Sequence, residues 1–411
     1  MFSKSGAILV FQAALMFSCQ SVAGQSIDAQ GFSASVPLDA VEAIIDLFDD
    51  YQIVALGEGN HNNLAGATLR LDLIRHPSFL DKVDDIVIEW GSAERQPVMD
   101  RYMTGQPVTD EEFVSMWRNT TNSWIWEPPI YAEFLAAVRE RNLASDEENR
   151  VRVLLGSDYL EWENIISFED HIGNIFSDAN ALTGDSLGGS WDLENIENMV
   201  KAGVSGDLLP YDIIRREVIE KERTALVIFG DMHLARDEWL LNFLPNSLNG
   251  GTLVGLLERS HPGVVYSIYS YIPTRNVQDN SPSGLKQLVD MYPELTTWRR
   301  NSLVNLKGTA IGAAEIQAIF PGEDLGPRVD PVTFELIPPE DWIYPSLESQ
   351  FDGLIWLGTA EVANQYSKPL PEIVADESVY NELLRRARVS QDYSEDELRA
   401  LRERYLRSVE N

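Results

Sequence analysis

Two glutamates and two histidines stand where short apolar runs give way to polar residues, and these four side chains are of the types that acid–base chemistry needs. The run Gln52–Leu56 opens into Gly57-Glu58-Gly59-Asn60-His61. Asp85–Ile88 ends in Glu89-Trp90, Val151–Leu155 in Gly156-Ser157-Asp158, and Ala225–Phe229 in Gly230-Asp231-Met232-His233. An imidazole gains and loses a proton near neutral pH, so His61 and His233 suit general base and general acid work. The same four side chains, Glu58, His61, Glu89 and His233, also form a reasonable nitrogen–oxygen set for a divalent metal. No tight ligand motif such as His-Glu-x-x-His accompanies them, so metal use is the secondary expectation. Taken singly, each has a plainer explanation. A glycine after a strand turns the chain, and an acid there pairs with a base or caps a helix. Four polar exits together are harder to assign to packing.

The other candidates fall away by contrast. Of five histidines, His76 and His261 precede proline in turn-like segments, and His171 sits in an acidic stretch of helical character. Gly184-Asp185-Ser186-Leu187-Gly188 has the spacing of a nucleophile elbow. It lacks the buried strand an elbow needs, so Ser186 reads as loop. Direct attack by water is therefore expected.

Residues from such distant segments meet only if strands end at a common edge. Gln52–Leu56, Asp85–Ile88, Val151–Leu155, Ala225–Phe229, Val264–Ile268 and Leu354–Leu357 are nearly continuous in apolar residues. That is the pattern of strands covered on both faces. Amphipathic segments such as Ile130–Asn142 lie between them, and Leu38–Phe48 has helical spacing. The alternation predicts an α/β fold with a largely parallel central sheet flanked by helices. Ligands of such sheets bind beyond the carboxyl ends of the strands, where all four exits fall. The proline-rich stretch 270–352 reads as long excursions with a short helix or two. Glu377–Arg388 and Ser394–Ser408 read as helices, the second opened by the capping box Ser394-Glu395-Asp396-Glu397. The expected organisation is an α/β domain over 25–372 and a C-terminal helical extension over 373–411.

Charge and the first residues bound the setting. A net charge of −33 repels phosphate backbones, so nucleic acid is not an expected partner, and a small-molecule substrate is. Residues 1–24 read as an export signal, with Lys4, a central apolar run, and small residues Ser21, Ala23 and Gly24 at the cleavage site. The expectation is an exported protein, periplasmic or extracellular, with no stable membrane insertion once the signal is removed. Met16-Phe17-Ser18 makes a poor lipoprotein box, so anchoring at Cys19 is the lesser expectation. Cys19 is the only cysteine, and cleavage ahead of Gln25 leaves no thiol for disulfides or zinc–thiolate sites.

Leu56-Gly57-Glu58-Gly59-Asn60-His61 resembles the Gly-Glu-x-x-His signature of the erythromycin esterase-like proteins, a wider group that includes ChaN-type haem-binding lipoproteins and, remotely, the TIKI and TraB proteins. Further segments follow in the family's order: Arg70 in Thr68-Leu69-Arg70, Glu89 in Ile88-Glu89-Trp90, Asp100–Gly105, Ala137–Asn142, His233 after Gly230-Asp231-Met232, and Phe351–Ile355. The resemblance spans about residues 50–360. Asn60 and Asn62 stand where the macrolide esterases commonly carry Thr and Gly, and Asp231-Met232 where they carry an Asn-rich run, which puts macrolide hydrolysis in doubt.

The resemblance implies ester hydrolysis with Glu58, His61, Arg70, Glu89 and His233 as the catalytic set. It leaves their roles open. His61 is the natural base, and Glu58 orients its ring or shares its proton. Arg70 holds a substrate carboxylate or the oxyanion. Glu89 positions the water or His233, and His233 stabilises the tetrahedral intermediate or protonates the leaving group. Trp90, Asp158 and Asp231, at the same exits, are expected against substrate. The competing reading is a ChaN-like protein holding haem without turnover, in a slot lined by Trp90, Trp124, Trp126 and Tyr159. A metal-dependent peptidase of TIKI type is the third.

Overall fold

The computed structural model describes residues 32–120, 125–157, 161–174, 207–236, 252–273, 288–289, 291–316, 345–363, 365–369, 376–391 and 393–410. Among these residues eight strands form one sheet: β1 (Leu38–Asp39), β2 (Ile53–Gly57), β3 (Asp85–Ser92), β4 (Arg152–Ser157), β5 (Ala225–Phe229), β6 (Val265–Tyr271), β7 (Ser302–Asn305) and β8 (Gly353–Trp356). Their order is β1-β7-β8-β6-β2-β5-β3-β4. The central pairings, β8 with β6, β6 with β2, β2 with β5, β5 with β3 and β3 with β4, are all parallel. Only β7 runs against its neighbours.

The unbroken apolarity of the strands has the expected cause. Ile53, Ala55, Val87, Val227 and Phe229 face one core, closed by helices Leu208–Ile214 and Leu253–Ser260. Val54, Leu56, Ile86, Ile88, Leu226 and Ile228 face the other, closed by helices Ala40–Leu47, Leu64–Arg75 and Ile130–Leu143. Neither face of the central strands meets water, so both sets of alternate residues are apolar.

Two features depart from the sequence reading. The stretch 270–352 contains a strand, β7, whose four residues pair antiparallel with β8. Its apolar signal is only Leu303-Val304, because neighbouring strands supply the rest of its burial. Among the described residues, side chains rather than a further strand take the outer-edge groups of β4. Gln96 donates to the Val153 carbonyl (2.8 Å) and accepts from the Leu155 N–H (2.8 Å). Asn142 does the same for Val151, donating at 2.8 Å and accepting at 3.0 Å. Both amides satisfy ladder groups that an edge strand otherwise leaves open.

Helices Glu377–Gln391 and Glu395–Glu410 follow the last strand. Arg385 donates to the carbonyls of Ile165 and Trp162, and Arg386 to that of Arg118, which tie the first of them to the α/β body. No helix among the described residues is long and apolar enough to cross a membrane.

Candidate active site

The four central strands β6, β2, β5 and β3 end side by side, and their exits carry the site. The Glu58 N–H still donates to Phe229 of β5 (2.9 Å), after which the chain turns at Gly59 with φ of +69°. Asn63 then caps the helix Leu64–Arg75, accepting from Ala65 and Gly66 N–H groups at 2.9 and 3.1 Å. His61 is thereby fixed between a tight turn and a capped helix start. β3 stays in register with β5 only to Ile88, and its pairing with β4 is irregular between Ile88 and Ser92. Glu89 sits at that break. Its carboxylate replaces the lost ladder partner, accepting the Gly230 N–H at 2.6 Å.

Glu58 is 1% exposed. One of its oxygens lies 2.9 Å from His61 Nδ1, the other 3.3 Å from the Arg70 guanidinium. Burial pushes the Glu58 carboxyl up, but Arg70 and His61 outweigh it and hold it below the usual carboxylate range. Burial pulls the His61 imidazole down, and Glu89 and Glu58 more than reverse this, so it titrates above its ordinary value. The ring packs edge-on against Trp126 at 4.6 Å between centroids.

His233 is built the same way from different parts. Its Nδ1 lies 2.5 Å from Asp207 Oδ1, and its Nε2 lies 3.8 Å from Glu89. Burial again opposes the charge, but Asp207 first and then Glu89 and Glu58 raise the imidazole to about 10. A side chain at Gly230 would touch His61, His233 and Glu89 at once: the position of its missing Cβ is 3.4 Å from His61 Cε1, 3.6 Å from His233 Cδ2 and 3.4 Å from Glu89. Both imidazoles line one cavity of about 290 Å³, with Asn60, Met232, Tyr269 and Ile272 among its walls. A cavity of about 990 Å³ runs along the outer edge of β4, away from every one of these groups. The smaller cavity is the one beside the chemistry.

Several expected residues have other places. Arg70 is buried, pairs with the Glu58 carboxylate at 3.3 Å and is not among the residues lining the cavity. Trp90 is buried against Trp126, Tyr131 and Phe134 and is not among the residues lining the cavity. Asp231 borders the cavity, but its carboxyl is spent on backbone. It accepts from the Ser270 N–H at 2.8 Å and from the Gly59 N–H, which ties the β2 exit to the end of β6. Burial drives it up to about 7 against those bonds. The missing Cβ of Gly57 would lie 1.8 Å from Asp231 Oδ1, so only glycine fits at that strand end. Asp158, Ser186, Trp124, Tyr159 and residues 1–24 lie outside the described residues.

Asp207 was not visible as a site residue. It precedes Leu208-Leu209-Pro210, where an acid reads as a helix cap. It does not cap that helix. Its second oxygen accepts instead from Leu253 N–H, at the start of another helix, at 3.0 Å.

The ligand atoms of Glu58, His61 and Glu89 lie within 4.8 Å of one another, close enough to hold a divalent ion. The Glu58 carboxylate already faces two basic groups, however. Glu58 is divided between His61 and Arg70, and a guanidinium at 3.3 Å disfavours a second cation on the same carboxylate. The set fits hydrogen-bonded proton transfer better than a metal cage. Of the four residues expected to line a haem slot, Trp90 and Trp126 are buried and pack on each other.

No family model matches the chain, and no curated protein matches it. Among solved structures it is similar to a Bacillus cereus protein at 13% identity, over 78% of this chain and 94% of that one, with a TM-score of 0.47. It is similar to an erythromycin esterase in its open conformation at 11% identity, over 76% of this chain and 92% of that one, with a TM-score of 0.40. ChaN of Campylobacter jejuni, with cofacially bound haem, matches at 12% identity over 60% of this chain and 95% of that one, with a TM-score of 0.32.

Proposed function

We propose that this chain is an exported hydrolase that cleaves an ester or related bond by water activated at His61. One observation carries the reading: two imidazoles face one cavity, each with Nδ1 held by a buried carboxylate, so both present Nε2 to the same space. Glu58, kept ionised by Arg70, holds His61 with its proton on Nδ1 and its lone pair toward the water. Attack puts negative charge on the carbonyl oxygen. His233, kept cationic by Asp207, donates to that oxygen or to the departing alkoxide. Glu89 lies between them and positions the water. Residues 1–24 direct export, 25–372 form the catalytic unit, and 373–411 pack as an extension. The substrate is a small molecule that enters from the strand-end side.

The test is turnover of a nitrophenyl ester by the wild-type chain beside His61→Ala, Glu58→Gln and His233→Ala. A loss of roughly 10²–10⁴-fold in kcat for His61→Ala is expected, the usual size of a general base contribution. Chelation leaves turnover unchanged in this reading. Equal activity in all four proteins ends the assignment, and loss on chelation with recovery on manganese or zinc replaces it with a metal-dependent one.

A further inference from the structure

We propose that Asp207 is a positioning residue for His233, holding a proton on Nδ1 whether the ring is charged or neutral and turning Nε2 toward the cavity. The inference rests on the hydrolase reading for its catalytic meaning, and on geometry alone for the contact itself. Asp207 is 8% exposed, and its two oxygens have separate tasks. Oδ1 lies 2.5 Å from His233 Nδ1. Oδ2 accepts the Leu253 N–H at 3.0 Å, from the first residue of helix Leu253–Ser260. A helix start favours negative charge, and a fixed amide donor leaves the carboxylate no freedom to rotate. Oδ1 therefore always faces the ring as an acceptor. Nδ1 carries a proton in both charge states of the ring, and Nε2, which gains or loses the titrating proton, points to Glu89 and the cavity.

The arrangement repeats that of Glu58 and His61 with no shared residue. There the second carboxylate oxygen meets Arg70; here it meets a helix N-terminus. Two independent carboxylate–imidazole pairs converge on Gly230. A purely structural aspartate at the base of the helix has no reason to spend its shorter bond on a ring in the cavity wall.

Asp207→Asn discriminates these roles. The Leu253 N–H still needs an acceptor, so it takes the amide oxygen and the NH₂ group faces Nδ1. The ring must then put its proton on Nε2. The measurement is ¹⁵N NMR of the histidine-labelled full chain, with His233→Gln to assign the His233 signals. In the wild type, Nδ1 carries a proton shifted strongly downfield by the carboxylate. In Asp207→Asn that signal vanishes, and once the ring is neutral Nε2 becomes the protonated nitrogen. With a nitrophenyl ester, kcat falls by about 100-fold or more while KM changes little, as expected for a misoriented acid. An unchanged ring tautomer, or kcat equal to wild type beside an active control, overturns the proposal. If the wild type turns over no ester, the hydrolase reading falls and the ring signals still decide the role of Asp207. If Asp207→Asn does not fold, the wild-type spectrum decides: absence of the downfield Nδ1 proton overturns it.

Discussion

The two ends of the sheet both bury acids, and they do so to opposite effect. At the amino ends of the strands, Asp85 is 0% exposed and meets two arginines. Arg152, directly opposite it on β4, donates Nε and NH2 at 2.7 and 2.9 Å. Arg223 donates Nε and NH2 at 2.8 and 3.0 Å. Four charge-assisted bonds use up the carboxylate, and neither base can give up a proton. At the carboxyl ends, Glu58 and Asp207 each have an imidazole as partner, and each imidazole keeps a second nitrogen for the cavity. Saturation with arginine makes a clamp. Pairing with histidine leaves a titratable group beside an open space. Burial and charge alone do not separate the two, and neither does cavity size, since the larger cavity borders Arg152 and Arg223.

The sharpest way to break this comparison is to remove Asp85. Asp85→Ala leaves two guanidinium groups facing each other and should cost about 3–5 kcal/mol of stability, toward the lower end because both arginines are partly exposed. Denaturant unfolding measures it. Ester turnover per folded molecule should match wild type, and a parallel loss of kcat would show that the clamp is not separate from the site.

His171 sharpens it from the other side. It is a buried imidazole stacked on Trp162, with burial lowering it to about 4 and no carboxylate among the described residues opposing this. The folded chain keeps it neutral while the unfolded chain takes a proton below about 6.5. Stability should therefore fall as pH drops from about 6.5 through 4, by no more than about 3 kcal/mol, and level off below. Unfolding free energies at pH 7, 5 and 4 for wild type and His171→Phe test this. An identical acid dependence in the variant would sink it.

The rate profile tests the two histidines together. His61 acts as base only when neutral, and its carboxylate neighbours raise it above its usual value. His233 acts as acid only when charged, up to about 10. Turnover should rise about tenfold per unit below the His61 transition and fall again near 10, a bell centred on the alkaline side of neutrality. A profile flat from pH 6 to 9 would contradict the paired roles.

The sequence alone was enough for the layers and for most of the site's addresses. Continuous apolar runs ending in Gly57-Glu58 and Gly230 located β2 and β5 nearly to the residue, because polar side chains are costly on a strand covered on both faces, whereas β3 runs on past Ile88 to Ser92 with Glu89 at the break in its pairing. Strand β7 escaped because four residues at a sheet margin take their burial from neighbours rather than from a pattern of their own. Only the tertiary structure could decide which groups are spent and which are free. Arg70 turned inward to Glu58, Trp90 closed under Trp126, Asp231 bonded to backbone, and Asp207 arrived from a helix start to hold His233. Residue type fixes what a side chain can donate or accept. Whom it meets depends on strand order and on chain turns hundreds of residues apart, which no local spacing encodes.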